Sequence, residues 1–244
     1  MKLIYQCKQY LLALLFCLVF FAPVHSFSIL AHEAIIDAEW LNHIRPLLLK
    51  KYPSATAGEL LKAHAYAYGG SLVADMGYMP FGCPYFTNLL HYVRSGDFVT
   101  ELLSQSQNLN EYAFSLGAIS HYMADKYGHA LATNVSIAIA YPRLKNKYGN
   151  LITYDDDHTS HSSLEFAYDI IQTYKGNYAT AAYHNFIGFE MAAPVLERAF
   201  LKIYGQNLNA IFPNFASAIS TFRWGVRDFF LNLPALPGNQ TKPD

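Results

Sequence analysis

The sequence predicts an all-α protein, a single-domain multi-helix bundle, and three observations carry that prediction. Apolar residues recur at three- and four-residue intervals along most of the chain, the spacing of a helix face. Capping residues stand ahead of several of these runs, and no stretch sustains the two-residue alternation of a half-buried strand. A chain of 244 residues, 52% hydrophobic and 14% charged, suits one compact core.

Residues 1–26 read as a signal peptide. Lys2 and Lys8 give a positive start, Leu11 to Ala22 form an apolar run closed by Pro23, and Val24-His25-Ser26 resembles a processing site. Cleavage there leaves 15 basic residues against 18 acidic ones, a formal charge of −3, and leaves Cys83 as the single cysteine. An exported chain with one cysteine has no internal disulfide, so its stability rests on the apolar core and on bound metal. The expected location is the periplasm or the exterior. No apolar stretch after residue 26 approaches the length of a bilayer span. The charge balance gives no strongly basic surface for nucleic acid.

In chain order, residues 27–232 are expected to form the helical domain and 233–244, rich in Pro, Gly and polar groups, a loose tail. A first helix is expected over 32–49, with Ile35, Ile36, Trp40 and Ile44 on its apolar side and Pro46 shortening or kinking it. Thr56 and Glu59 form a capping-box signature for a helix over 57–73. His64 sits there among Tyr66, Tyr68 and the Gly69-Gly70 pair and reads as structural. Asp75 follows where Gly77 and Pro80 break the pattern. Residues 81–84 read as a loop, and a helix over 86–93 contains His91. Arg94, Gly96 and Asp97 close that segment; Arg94 shares a face with His91 but reads as a surface arginine. A short helix over 98–103 precedes a long one for which Asn110 is the expected N-cap. The helical pattern weakens from Thr133 to Lys147. Asp155, Asp156 and Asp157 then read as a solvated loop with capping character, ahead of an amphipathic helix ending near Tyr174. Two further helices, over 179–204 and 208–231, complete the chain, with His184 structural.

The chemistry concentrates in Ser120 to His129. His121, Asp125 and His129 stand at i, i+4 and i+8, and each four-residue step rotates a helix by about 40°, so they form one stripe. Imidazole and carboxylate are the ligands of zinc in hydrolytic sites; the alternative is a helix with partly buried, hydrogen-bonded histidines. Other segments carry matching groups. His161 and Glu165 share a face at i, i+4, with His158 beside them as a decoy or a supporting residue. Asp75, a carboxylate at a helix end amid apolar residues, needs a partner because burying it unpaired is costly. His32 lies five residues after Phe27, whose α-amine cleavage would expose.

The ordered set Phe27, His32, Asp75, His91, His121, Asp125, His129, His161 and Glu165 resembles the superfamily of zinc-dependent phospholipases C and secreted trinuclear-zinc nucleases, across roughly residues 27–170. The resemblance implies an all-α fold of the zinc-dependent phospholipase C type, up to three zinc ions in a cleft, and phosphodiester hydrolysis. Carried over by position, Asp75, His91, His121 and Asp125 would hold one zinc. The Phe27 amine and carbonyl with His32 would hold a second, bridged to the first by Asp125. His129, His161 and Glu165 would hold the third. Asp75 is further implied as the residue that orients, or accepts a proton from, the attacking water.

This chain departs from the usual pattern in having Phe27 where Trp is common. Its step from Asp125 to His129, four residues, is shorter than in the well-known bacterial phospholipases and nucleases. It is similar to that of the phospholipase-like domain of glycosylphosphatidylinositol-cleaving phospholipase D. The leading expectation is a phospholipase C-like hydrolase of glycerophospholipids, with transient membrane-surface contact. Glu165 and a content of 19 Tyr and 17 Phe agree with it, although much of that aromatic content must be core. The alternatives are a nuclease for single strands, which would stack bases on aromatic rings, and a zinc-stabilised protein without turnover.

Overall fold

The computed structural model describes residues 29–178 and 189–226; the signal peptide, Phe27, His184 and the 233–244 tail lie outside the described residues. Among the described residues every regular element is helical. The first helix, α1 (Ile29–Glu39), passes through a π-turn (Trp40–Ile44) into α2 (Arg45–Lys51). Pro46 does not end the helical path: the backbone stays helical at Ile44 and Arg45, and Pro46 falls directly after the π-turn, where the wider turn interrupts the regular ladder. Thr56 and Glu59 form the expected capping box at the start of α3 (Ala57–Leu72). A 3₁₀ turn (Val73–Tyr78) then leads to α4 (Pro84–Tyr92) and α5 (Ser95–Gln105). Arg94, at φ 54°, makes the left-handed corner between those two helices.

The long helix α6 (Leu109–Gly128) is capped by Asn108, whose side chain accepts the Glu111 N–H, rather than by Asn110. It continues through a π-turn (His129–Thr133) into α7 (Asn134–Ala140), followed by α8 (Pro142–Tyr148). The stretch where the sequence pattern weakens is therefore helical. The extra residue in the π-turn breaks the 3.6-residue rhythm, and the pattern weakens with it. α9 (His158–Tyr174) follows the acidic loop, and the described C-terminal part contains α10 (Ala193–Tyr204), α11 (Leu208–Ile211) and α12 (Phe215–Trp224).

The core is centred on α3 and α6, which pack through small residues. A Cβ on Gly70 would overlap the Phe114 carbonyl, and one on Gly117 would overlap the Ala67 carbonyl, so the two backbones approach as only glycine permits. Ala63, Ala67, Ala113 and Ala118 are buried along the same seam. Around it, Phe86 packs on Phe200 and Phe212 at ring distances of 5.4 and 5.1 Å, tying α4 to α10. A smaller cluster of Ile137, Ala138 and Ile152 fixes α7 under the loop that precedes α9.

Candidate metal centre

The close seam sets the first imidazole. It brings the Ser71 carbonyl to 2.8 Å from His121 Nδ1. A carbonyl only accepts, so Nδ1 carries the proton and Nε2 presents a bare lone pair. His91 on α4 is set the same way, its Nδ1 donating to the Thr87 carbonyl at 2.9 Å. The two Nε2 atoms face each other at 3.3 Å. In these tautomers neither has a proton for the other, so a proton or a cation must sit among them.

Asp75 belongs to the 3₁₀ turn and is 1% exposed. The Thr87 hydroxyl holds that turn to α4, donating to the Ala74 carbonyl at 2.8 Å and accepting the Gly77 N–H at 2.9 Å. Asp75 Oδ1 consequently lies 3.5 Å from His91 Nε2.

Asp125 stands between groups. Its Oδ2 lies 3.4 Å from His91 Nε2 and 3.2 Å from His121 Nε2. Its Oδ1 lies 3.4 Å from His32 Nε2 and 3.7 Å from His129 Nε2. The His32 ring stacks on His121 at 4.1 Å. Beyond Asp125, Glu165 Oε1 lies 3.5 Å from His129 Nδ1 and 3.2 Å from His161 Nδ1. The Asn134 amide oxygen, at 3.2 Å, accepts from His161 Nε2, which leaves Nδ1 bare toward Glu165. The π-turn that carries Asn134 inward is thus part of the site.

Eight of the nine predicted ligand residues converge here, and Phe27 lies outside the described residues. Their ligand atoms gather as Asp75, His91 and His121; as His32, His121 and Asp125; and as His129, His161 and Glu165. Expectation had given His32 only Phe27 and Asp125 as companions; the geometry adds His121.

The electrostatics show what such a cluster lacks without a cation. Burial pulls the His91 imidazole down, but the carboxylates of Asp125 and Asp75 outweigh it and push it up to about 10. Burial together with the charge of Asp125 pushes the Glu165 carboxyl up to about 10. Burial, with His129 beside it, pulls His161 down to about 4, so it is neutral at ordinary pH. Burial opposes ionisation of Asp75 and Asp125, yet His121 and its neighbours overturn that, holding Asp75 below and Asp125 well below the usual carboxylate range. Both oxygens of Asp75, Asp125 Oδ1, Glu165 Oε1 and His161 Nδ1 are buried without a hydrogen-bond partner. Divalent cations satisfy all of these atoms at once, and a set of imidazoles and carboxylates suits zinc.

The remaining candidates are engaged elsewhere. His64 stacks on Trp40 at 3.8 Å and lies 3.2 Å from Asp37. His158 stacks on Tyr154 at 4.2 Å. Arg94 pairs with Asp97 at 2.8 Å and donates to the Ile203 carbonyl at 3.0 Å. In the acidic loop, Asp156 accepts the Thr153 N–H and Asp157 accepts the Ser160 N–H, each at 2.8 Å, as capping residues do.

The cluster forms the floor of a cavity of about 430 Å³. Val73, Leu90, Phe98 and Val99 give it an apolar wall, and Tyr78, Tyr92 and Tyr154 give it aromatic rings. Asp155 and Lys126 also line it. Sequence reasoning missed Thr87, Asn134, Lys126 and the three tyrosines. Only Tyr78, three residues after Asp75, carried a positional hint.

An all-α bundle with histidine–carboxylate groups able to hold divalent metal is the class that fold and site define. The chain belongs to the zinc dependent phospholipase C family, whose model matches residues 33–214. No curated protein matches the chain, and no solved structure does. Membership supports a zinc-dependent, phospholipase C-like hydrolase at the level of the family.

Proposed function

We propose that the chain is an exported, zinc-dependent phosphodiesterase that hydrolyses the headgroup phosphodiester of glycerophospholipids. The observation that carries this reading is the pairing, in one cavity, of three ligand groups with an apolar wall. Asp75, His91, His121 and Asp125 would hold one zinc, and His32 and Asp125, with a Phe27 amine and carbonyl freed by cleavage, would hold a second. His129, His161 and Glu165 would hold the third. Zinc at such sites polarises the phosphoryl oxygens and lowers the pKa of bound water toward neutrality. Three divalent cations against the charges of Asp75, Asp125 and Glu165 leave a positive floor for a phosphate anion on an otherwise acidic protein. Asp75, buried and held by the Thr87-clamped turn, orients the attacking water; as a zinc ligand it is a weak base. The apolar wall of Leu90, Phe98 and Val99 takes the glycerol and acyl portion.

A second reading, a nuclease for single strands, is favoured by Tyr78, Tyr92 and Tyr154, whose rings could stack bases beside the cluster. A non-catalytic zinc protein would not need a cavity of about 430 Å³ next to its ligands.

The test uses protein secreted with a native Phe27 amine, assayed for zinc content and for turnover of phosphatidylcholine and single-stranded DNA. The expected result is near three zincs per chain and lipid turnover that falls at least ~100-fold in Asp75→Asn. DNA turnover alone would transfer the assignment to the nuclease reading. Bound zinc with neither activity would leave a storage or structural role, and an uncleaved leader would remove the Phe27 amine from the second zinc site.

A further inference from the structure

The helix that carries His121, Asp125 and His129 also carries, two residues out of phase with them, a row of exposed apolar side chains. Met123, Tyr127, Leu131, Val135 and Ile139 follow at four-residue intervals and are 41%, 51%, 77%, 39% and 75% exposed. They lie on one uninterrupted helical path from α6 through the π-turn to α7. In a pure α-helix, four-residue steps drift by about 40° each, so five such residues would wind well away from a line. The π-turn corrects that drift. The Asn134 N–H bonds back to the His129 carbonyl, five residues earlier, so the wider turn absorbs an extra residue and keeps the row together. The inward side of the same path is buried at His121, Asn134, Ile137 and Ala138.

Charge and position indicate what this row meets. From Tyr122 to Tyr148 the cations are Lys126, Arg143, Lys145 and Lys147, and the only acidic residue is Asp125, which is turned into the metal cluster. All four cations are exposed, Lys126 on the helix of the row and the other three on α8 directly after α7. Of the acidic loop that follows, Asp156 and Asp157 act on Lys147, so the cationic character rests on Lys126, Arg143 and Lys145. Lys126, between Met123 and Tyr127, also lines the cavity, as does His129. A surface that covers the row therefore meets the rim of the cavity as well. Apolar side chains flanked by lysine and arginine, lying flat along a helix, match the boundary between headgroups and acyl chains of a bilayer bearing anionic lipid.

We propose that the Met123–Ile139 face is the surface by which this protein docks on an anionic phospholipid bilayer, holding the cavity rim against the headgroups. The inference rests on the phospholipase reading for its choice of lipid as partner, but docking is measured without turnover. The full zinc-loaded chain is sedimented with vesicles of phosphatidylcholine and phosphatidylglycerol, and separately assayed on a short-chain, water-soluble phosphatidylcholine below its micellar concentration. In Val135→Ser/Ile139→Ser, vesicle binding should fall at least ~10-fold while the rate on the soluble substrate stays within about twofold. In Arg143→Gln/Lys145→Gln, binding should fall on the mixed vesicles and not on pure phosphatidylcholine, and wild-type binding should weaken with salt. Unchanged vesicle binding in the serine variant would overturn the proposal. So would wild-type protein that ignores vesicles and self-associates through this row, as shown by a sedimentation coefficient that the serine variant lowers. Vesicle binding that depends on the row, with no hydrolysis of any phospholipid, would instead remove the phospholipase reading and leave the docking face standing.

Discussion

Thr87 serves the candidate metal centre twice, through its hydroxyl on the Asp75 turn and through its carbonyl on His91. Thr87→Val separates the two roles, because it removes the hydroxyl and keeps the carbonyl and the branched shape. The Gly77 N–H and Ala74 carbonyl lose a buried partner, a cost of about 1–3 kcal/mol that denaturant unfolding of the metal-free protein should read. The His91 tautomer is untouched. Zinc affinity should nonetheless fall about 10–100-fold, the usual effect of removing a supporting hydrogen bond behind a ligand, and chelator competition would measure it. An unchanged affinity would mean that the turn holds Asp75 without Thr87. At this scale the sequence was legible where a side chain's type announces its chemistry: His121, Asp125 and His129 stood out by type and spacing. The carbonyls of Ser71 and Thr87, which fix two tautomers, were invisible, since every residue has a carbonyl. Asn134 was equally silent, because only the π-turn brings it to His161.

Among the elements, the α3–α6 seam decides where the ligands stand. Gly117 is the sharpest test of it. On helix propensity alone Gly117→Ala should stabilise α6 by up to about 1 kcal/mol. The new methyl would instead press on the Ala67 carbonyl and the Ser71 amide, backbone atoms that cannot swing aside. Overpacking of that kind costs about 1–3 kcal/mol or more, so the net change should be destabilising. Gly128→Ala, on the same helix with nothing within 4 Å of the added Cβ, is the control and should be neutral or stabilising. Opposite signs in thermal unfolding would establish the seam; equal signs would refute it. The seam also separates the legible elements from the others. The Thr56–Glu59 box was readable because both residues act on their own turn. Asn108 was not distinguished from Asn110, since either asparagine satisfies the local rule and only the backbone, extended at Asn108, selects one. The helices α7 and α8 were missed because a π-turn offsets their apolar rhythm from that of α6.

For the whole molecule, the cluster couples metal, protons and folding. In the metal-free protein His91 is held up to about 10 against an ordinary 6.5. A histidine raised by folding stabilises the fold fully below 6.5, and that contribution is lost as pH climbs through about 10. Glu165, raised from 4.5 to about 10, has the same sign: its buried neutral carboxyl is compatible with the fold in acid and increasingly penalises it as pH rises. Asp75 and Asp125 are depressed, so their contribution is present above the ordinary carboxylate value and is lost only in stronger acid. His161, pulled down to about 4, and His32 and His129, lowered by burial, have the opposite sign and cost stability below about 6.5. Metal-free stability should therefore decline only as pH rises from about 6.5 into the alkaline range. Zinc binding runs the other way, since its ligands must be neutral imidazoles and ionised carboxylates, and each bound proton competes with the metal. The difference in Tm with and without zinc should consequently widen from about pH 5 to about pH 8, and excess chelator should abolish it. Thermal scans across that range, with the metal-free protein as reference, read the difference directly. A gap that stays constant or narrows would mean that these buried histidines and carboxylates do not exchange protons for metal, and no gap at any pH would leave the cluster a hydrogen-bonded core with no metal to hold.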